Sequence, residues 1–379
     1  MPRAPGAPAV DAVPSPGAPP PSAALAPPAK GPPTSFRLGP RNTGRSPHRG
    51  PALAQRLWAV ELGARVTAQP VADRGGNVYV GAHDGRFHAV RDGRVLWRRD
   101  LGGPIWSTAA VTAEGLVVVG SDAGALHAFS SDGSLRWRLP LAGDVDTGVV
   151  PGPEGALYVA AGTGLHRVNA DGTLAWRYEA DAKIFATPAL GPDGTLYVGS
   201  QDDHLHAVTP EGARRFVYRT EGDVDGSPSV DEAGTVYFGS DDRRVYALEA
   251  TGGLRWSAEL GGMVRAPLGL TLDGGVLAGV FGPRPRLVCL DAARGRERWV
   301  FSLAVADTTE IGVASGPLVD RDGNIYFGAH DDTLYALTAH GELRWAEEVG
   351  GDVDSSPVLL PGGTLVVGSD DGYLYAFGS

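Results

Sequence analysis

A single cysteine, Cys289, leaves no intramolecular disulfide to draw, and it excludes both a Cys/His zinc site and a lipid-modified N-terminal cysteine. Charged residues make up only 20% of the chain, and no apolar run approaches the roughly 18 residues that span a bilayer, so no transmembrane segment is expected. The N-terminus as written lacks the apolar segment of a secretory signal, which by itself predicts a soluble protein outside the general export route. No Gly-x-Ser-x-Gly elbow, phosphate loop or His-Glu-x-x-His run is present, which removes the common hydrolase, nucleotide and zinc-protease signatures.

What the chain has instead is 55 glycines and 30 prolines beside a 42% hydrophobic content, a balance that suits short strands joined by many tight turns. Pro and Ala crowd residues 14–33 (PSPGAPPPSAALAPPAKGPP), so residues 1–37 read as a disordered, partly polyproline tail, followed by a lead-in over 38–54. Residues 1–57 hold seven basic side chains against one acid, Asp11, so this stretch is +6 and the remainder −17 of the formal −11. An acidic body repels polyanions, and nucleic acid is not expected as a partner.

From residue 55 the sequence repeats. A bulky aromatic recurs at Trp58, Trp97, Trp137, Trp176, Phe216, Trp256, Trp299 and Trp345, at intervals of 39 to 46 residues. Turn glycines give an independent ruler at Gly76, Gly115, Gly155, Gly194, Gly234, Gly274, Gly323 and Gly363. Both count eight units. One unit, KIFATPALGPDGTLYVGSQDDHLHAVTPEGARRF (183–216), divides into four strand-length runs separated by Gly- and Asp-rich turns. Four antiparallel strands per forty residues, eight times over, predict an all-β, eight-bladed β-propeller over 55–379. The last unit stops one strand short and the chain enters with one unpaired strand around Trp58, so the N-terminal strand is expected to pair with the last blade and close the ring.

The pattern SSPVLLPGGTLVVGSDDGYLYAF (355–377) with LDAARGRERW (290–299), and the Gly-x-x-x-Trp element at Gly133/Trp137, Gly172/Trp176, Gly295/Trp299 and Gly93/Trp97, resembles the pyrroloquinoline-quinone-type repeat. The entry RNTGRSPHRGP (41–51) is similar to the lead-in of bacterial members. That family includes quinoprotein dehydrogenases and the propeller lipoprotein of outer-membrane β-barrel assembly. The resemblance implies an extracytoplasmic bacterial setting, periplasmic or extracellular. In the dehydrogenases the quinone sits under an adjacent-cysteine disulfide beside calcium ligands and an aspartate base. With Cys289 alone that disulfide is impossible, and no position matches the calcium ligands, so neither pyrroloquinoline quinone nor calcium is expected here.

His88, His127, His166 and His206 fall at one register position of the third strand, where other units carry Tyr246, Tyr335 and Tyr375. One residue per blade at equal radius does not gather ligands around an ion, so these read as core, as do the recurring tryptophans. Positions that break the repeat point to recognition. Aligned on the proline of DVDSSP, one column reads Thr67, Trp106, Asp146, Phe185, Asp225, Arg265 (after a one-residue gap), Ala314 and Asp354. Two residues earlier stand Arg65, Pro104, Asp144, Lys183, Asp223, Met263, Gly312 and Asp352. Period two puts both columns on one face of the innermost strand, facing the central channel. Either the Asp pairs 144/146, 223/225 and 352/354 hold a cation or a basic group against Trp106 and Phe185, or they merely begin strands with solvated carboxylates; both readings stand.

Between units six and seven the repeat lengthens by nine residues, in GPRPR (282–286), where Arg284 and Arg286 are expected to point outward, and in VADTTE (305–310), where Asp307 and Glu310 supply the opposite sign. Both insertions are expected beside the same channel mouth. These residues together predict a monomeric, non-catalytic binding scaffold that presents its channel mouth to a protein, a peptide or a small polar ligand. The alternatives are a quinone-dependent oxidoreductase and carboxylate-pair catalysis through Asp144, Asp223 and Asp352.

Overall fold

The computed structural model describes residues 34–304 and 312–379. Eight four-stranded antiparallel sheets follow one another along the chain as blades 1 (71–100), 2 (110–140), 3 (150–179), 4 (189–219), 5 (229–259), 6 (269–302), 7 (318–348) and 8 (358–378). Blade 8 supplies only three strands of its own, and Gln55–Glu61 adds the fourth by pairing antiparallel with Tyr373–Gly378. The expected ring closure is therefore present, and it covers the edge that Tyr373–Gly378 would otherwise expose.

Apolar alternation explains where the core sits. Second and third strands such as Leu196–Ser200 are buried on both faces, whereas the outermost strands alternate exposed and half-buried, as in Leu174–Glu179. The buried clusters join neighbouring blades: Tyr197 and Leu205 of blade 4 pack with Val230, Phe238 and Leu248 of blade 5. The core thus lies between the sheets, and no blade can bury its faces alone.

Two glycine positions make the blades interlock. A Cβ on Gly133 would lie 2.7 Å from the Trp97 ring and one on Gly172 2.6 Å from Trp137, so each outer tryptophan seats on the turn glycine of the following blade. Its indole N–H donates to a carbonyl of that turn, from Trp97 to Ser131 at 2.7 Å and from Trp176 to Pro210 at 2.9 Å. At the second position, a glycine at or near the end of the second strand, present in every blade but blade 3, admits the valine or isoleucine of the next blade: a Cβ on Gly120 would overlap Val145, and one on Gly81 would overlap Ile105.

The innermost runs are shorter than the sequence suggests. Only two residues per blade pair in the ladder, for example Ala189–Leu190, because the preceding residues divide their hydrogen bonds between two sheets. In blade 5 the Asp223 carbonyl accepts from Asp241 of its own blade, while the Val224 amide donates to Ser200 of blade 4. Hydroxyls continue this stitching around the channel, from Ser227 accepting the Thr187 amide to Ser355 donating to the Ala68 carbonyl.

The folded body begins before the tail boundary expected at 37, since Thr34 already bridges Val111 and Phe36 and Arg37 are buried. Residues 34–51 run across the end of the channel opposite the polar mouth described below, donating and accepting along the inner strands at Leu190, Val230, Leu270 and Val319. Arg37 anchors this strap. Its guanidinium is fully buried and donates to the carbonyls of Leu268 (3.0 Å) and Pro317 (2.5 Å), tying blade 6 to blade 7. Burial pulls its pKa down to about 9, which still leaves a cation at neutral pH. Asn42 donates in the same way to Thr187, Pro188 and Pro228.

Candidate functional site

Val66, Val145, Ile184, Val224, Val264 and Val353 are fully buried in the seams between blades, and in an extended chain the residue after each must face the opposite way. The column Thr67, Trp106, Asp146, Phe185, Asp225, Arg265, Ala314 and Asp354 accordingly lines the channel, and the one-residue gap needed to align Arg265 is real. These residues surround a cavity of about 680 Å³ at the mouth, continuous in its lining with a deeper space of about 200 Å³ that reaches Phe36 of the strap. Phe36 is the strap residue at its deep end.

Of the second column only Lys183 reaches the cavity wall; Arg65, Asp144, Asp223 and Asp352 stand on the rim. A third column was missed in the sequence. The residue that follows each second strand lies beside the inner run: His83, Asp122, Gln201, Asp241, Phe281, His330 and Asp370 donate their amides to Arg65, Pro104, Lys183, Asp223, Met263, Gly312 and Asp352. Asp122, Phe281 and His330 line the cavity directly. The signal was available, because this position after the "VGS" run varies as much as the inner column does.

The three Asp-Val-Asp pairs do not converge on one point. Each instead joins a third carboxylate and an Arg or Lys from the next blade around the ring. In blade 3, Asp144 and Asp146 receive Lys183 of blade 4 at 3.1 and 3.0 Å, with Asp122 adjoining. In blade 5, Asp223, Asp225 and Asp241 bring carboxylate oxygens within 4.8 Å of one another, and Arg265 of blade 6 forks onto Asp241 at 2.6 and 2.9 Å. In blade 8, Asp352, Asp354 and Asp370 face Arg65 of blade 1, whose Nε lies 3.2 Å from Asp370, while His330 bonds Asp354.

Three carboxylates outnumber the bases in each arc, and the carboxyls respond: Asp223 and Asp352 are raised, mainly by burial, and one acid in each arc is raised further. Burial and then its aspartate neighbours push Asp122 up to about 7, Asp225 up to about 6 and Asp370 up to about 6. Each of these three also has a buried Oδ1 without a hydrogen-bond partner. Aromatic surface separates the arcs: Trp106 stays 45% exposed and Phe185 38% exposed inside the channel, where a purely structural ring would be covered. His83 packs tilted against Trp106 with ring centroids 3.9 Å apart and shares a hydrogen bond with Thr67, and Lys183 lies 4.5 Å over the Phe185 ring.

Other expectations resolve plainly. His88, His127, His166 and His206 are buried one per blade, and burial lowers His127 and His166 to about 4, as core residues held neutral. Arg286 folds back onto the Leu260 carbonyl instead of pointing outward, because an exposed rim donor finds an unpaired backbone acceptor there, whereas Arg284 is exposed. The GPRPR turn follows directly on Phe281, which lines the cavity. Asp307 and Glu310 lie outside the described residues. Cys289 is buried among Leu277, Leu287 and Phe327 between blades 6 and 7, where burial raises its thiol to about 12.

Comparison with known proteins places this geometry. A family model described as outer membrane protein assembly factor BamB matches overlapping segments that together run from 51 to 379. Among solved structures, BamB from Moraxella catarrhalis superposes with a TM-score of 0.71 at 18% identity, covering 86% of this chain and 100% of that one. Quinohemoprotein alcohol dehydrogenase from Comamonas testosteroni gives 0.74 at 14% identity, with 91% and 80% covered, and a europium-containing methanol dehydrogenase gives 0.69 at 12%, with 91% and 98%. No curated protein sequence matches. The two kinds of neighbour share the propeller at identities that speak for fold alone, and the family match covers the whole ring, so the chain belongs to the outer membrane protein assembly factor BamB family of propellers.

Proposed function

We propose that this protein is a non-catalytic binding scaffold of the bacterial cell envelope, which uses the channel mouth to hold a protein segment, a peptide or a small polar ligand. One observation carries the reading. The repeating tryptophans and seam valines are consumed in joining blades, while the non-repeating inner column lines one cavity of about 680 Å³ with exposed aromatic surface and outnumbering carboxylates. The binding residues are Trp106, Phe185 and Arg265 on the wall with Lys183, Asp146, Asp225 and Asp354, and Arg65, Asp144, Asp223 and Asp352 on the rim. The envelope setting rests on the family's description, and among the described residues no helix is long and apolar enough to cross a membrane.

Quinone-dependent oxidation is the reading that the convergence of Asp223, Asp225 and Asp241 would favour, since three close carboxylates are a donor set for a hard cation. The remaining residues do not fit it. The Arg265 guanidinium already forks onto Asp241, and Cys289, the sole cysteine, is buried in a blade seam where it can form no disulfide over a cofactor. No step through a quinone is therefore derived.

Calorimetric titration of the full chain with panels of peptides and small polar compounds tests the reading, using Trp106→Ala and Asp354→Asn as mouth variants. Any specific ligand should lose at least about 10-fold in affinity in both variants while their melting transitions stay put. Dye reduction by protein incubated with pyrroloquinoline quinone and calcium would overturn the non-catalytic assignment, and ligands indifferent to both substitutions would overturn the site.

A further inference from the structure

The mouth alternates in character around the ring. Going round from the blade 8/1 boundary, an acidic arc is followed by Trp106 of blade 2, the blade 3/4 arc by Phe185, and the blade 5/6 arc by Phe281 of blade 6. Each arc accepts positive charge beyond its own Arg or Lys, and each intervening stretch presents an apolar ring face. We propose that the mouth binds a linear oligoamine, a small ligand of three or more ammonium groups separated by methylene spacers, with ammonium groups in the acidic arcs and spacers across the aromatic faces. This deepens the binding reading above and rests on it.

Four observations support this ligand class. Phe36 of the strap lines the deep end, and a concave mouth of about 680 Å³ is the size of a small-molecule site more than of a folded surface. Trp106 and Phe185 remain exposed within it, and Lys183 over Phe185 shows the wall already accepting an ammonium above a ring. Asp146 and Asp354 line the mouth cavity and Asp225 the deeper space, so each arc presents a carboxylate to a bound ligand. The arcs are also held apart by whole blades, so a single metal ion could neutralise one of them but not bridge the three.

Calorimetry of the full chain with spermine as probe, at 0.05 and 0.15 M salt, decides the matter. One spermine per chain should bind with a Kd below about 100 μM at the lower salt, and 1,4-diaminobutane at least about 10-fold more weakly. Asp225→Asn, Asp354→Asn and Trp106→Ala should each weaken spermine by about 5-fold or more; if Asp225→Asn fails to fold, the other two carry the test. Absence of binding at 1 mM, affinity unchanged in those variants, or displacement of spermine by an equal concentration of magnesium would overturn the proposal, the last by revealing a plain acidic surface. A lysine-rich peptide that binds at least about 10-fold more tightly than spermine, and is lost in the same variants, would also overturn it while leaving the binding mouth intact.

Discussion

Lys183 of blade 4 reaches back across a blade boundary to Asp146 of blade 3 at 3.0 Å, and the same Nζ lies 3.1 Å from Asp144. Burial pulls the Lys183 ammonium down, but hydrogen bonds and charge from Asp146 and Asp144 outweigh it and hold the ammonium above its usual range. The arrangement recurs with Arg265 and with Arg65, the latter joined by His330, so the mouth is a set of acid triads each with fewer bases than acids.

That imbalance makes Lys183→Met informative. The pair is partly exposed, so its loss should change stability by less than about 1 kcal/mol. The arc, however, gains a full unit of negative charge. Titrated with spermine and with inorganic phosphate, the variant should bind the cation about 3-fold or more tightly, with a steeper salt dependence, and should not gain affinity for the anion. Tighter phosphate binding by the wild type than by Lys183→Met, with no gain for spermine, would assign the mouth to anions instead.

The seam between blades gives a second prediction. A Cβ at Gly120 has no room against Val145, whose position is fixed by its own amide donating to Ser121. Gly120→Ala should therefore destabilise the chain by about 1–3 kcal/mol in urea unfolding, as overpacking does in a close-packed interior. Gly76→Ala is the contrast. No atom lies within 4 Å of a Cβ there, so the cost should come from its φ of +80° alone, about 1 kcal/mol.

Arg37 predicts a third effect. Its guanidinium fills a seat kept open by Gly316, where a Cβ would lie 2.7 Å from Nη1, and it is the donor for two buried carbonyls in different blades. Arg37→Met removes those donors and should lower stability by about 2–4 kcal/mol. Because the strap lies at the deep end of the channel, the variant should also show faster hydrogen exchange at Leu190, Val230 and Leu270, whose amides donate to strap carbonyls.

The ring, its eight blades and its closure were legible because each rests on a strict local rule. Turn glycines need positive φ, the outer tryptophan needs a glycine seat, and a chain one strand short must borrow one. The inner channel column was legible for the same reason, since a valine locked in a seam fixes which way its neighbours face. The strap was not legible. Nothing in the sequence around Phe36 and Arg37 says that a polar, proline-flanked segment will pair with the inner strands of blades more than two hundred residues away. The column containing Asp122, Asp241 and Asp370 varies visibly, but its approach to the inner run depends on the ladder breaking after two residues. That break follows from hydrogen bonds shared between sheets, which no single repeat reveals.

Closure gives a fourth prediction. Gln55–Glu61 covers the Tyr373–Gly378 edge, and Arg56 lies 5.0 Å over the Tyr375 ring while Trp58 seats on Gly93. Deleting 52–62 should lower the melting transition of the whole domain and expose a pairing-competent edge, seen as concentration-dependent association in sedimentation. An unchanged transition would mean that the ring holds without its shared blade.

The proton-holding acids set the last prediction, through the sign of their shifts. Asp122, Asp225 and Asp370 have folded pKa values raised from 3.8 to about 7, 6 and 6, by burial first and by neighbouring carboxylates second. Between pH 4 and 7 the folded chain therefore binds more protons at these sites than the unfolded chain, so their contribution to stability is present at low pH and is lost as pH rises through 6 to 7. Histidines held neutral by burial, His127 and His166 at about 4, slope the other way between pH 4 and 6.5 and mask the effect in the wild type. The difference between wild type and an Asp122→Asn, Asp225→Asn, Asp370→Asn variant cancels the histidines. The variant should be more stable by about 1–3 kcal/mol at pH 8, after solvent screening of these partly exposed groups, with the gain shrinking toward zero by pH 4. Carboxylates that cost the fold stability at neutral pH are retained sensibly only where they answer a cation. The same variant should accordingly lose spermine binding at pH 8, the condition in which it is the more stable protein.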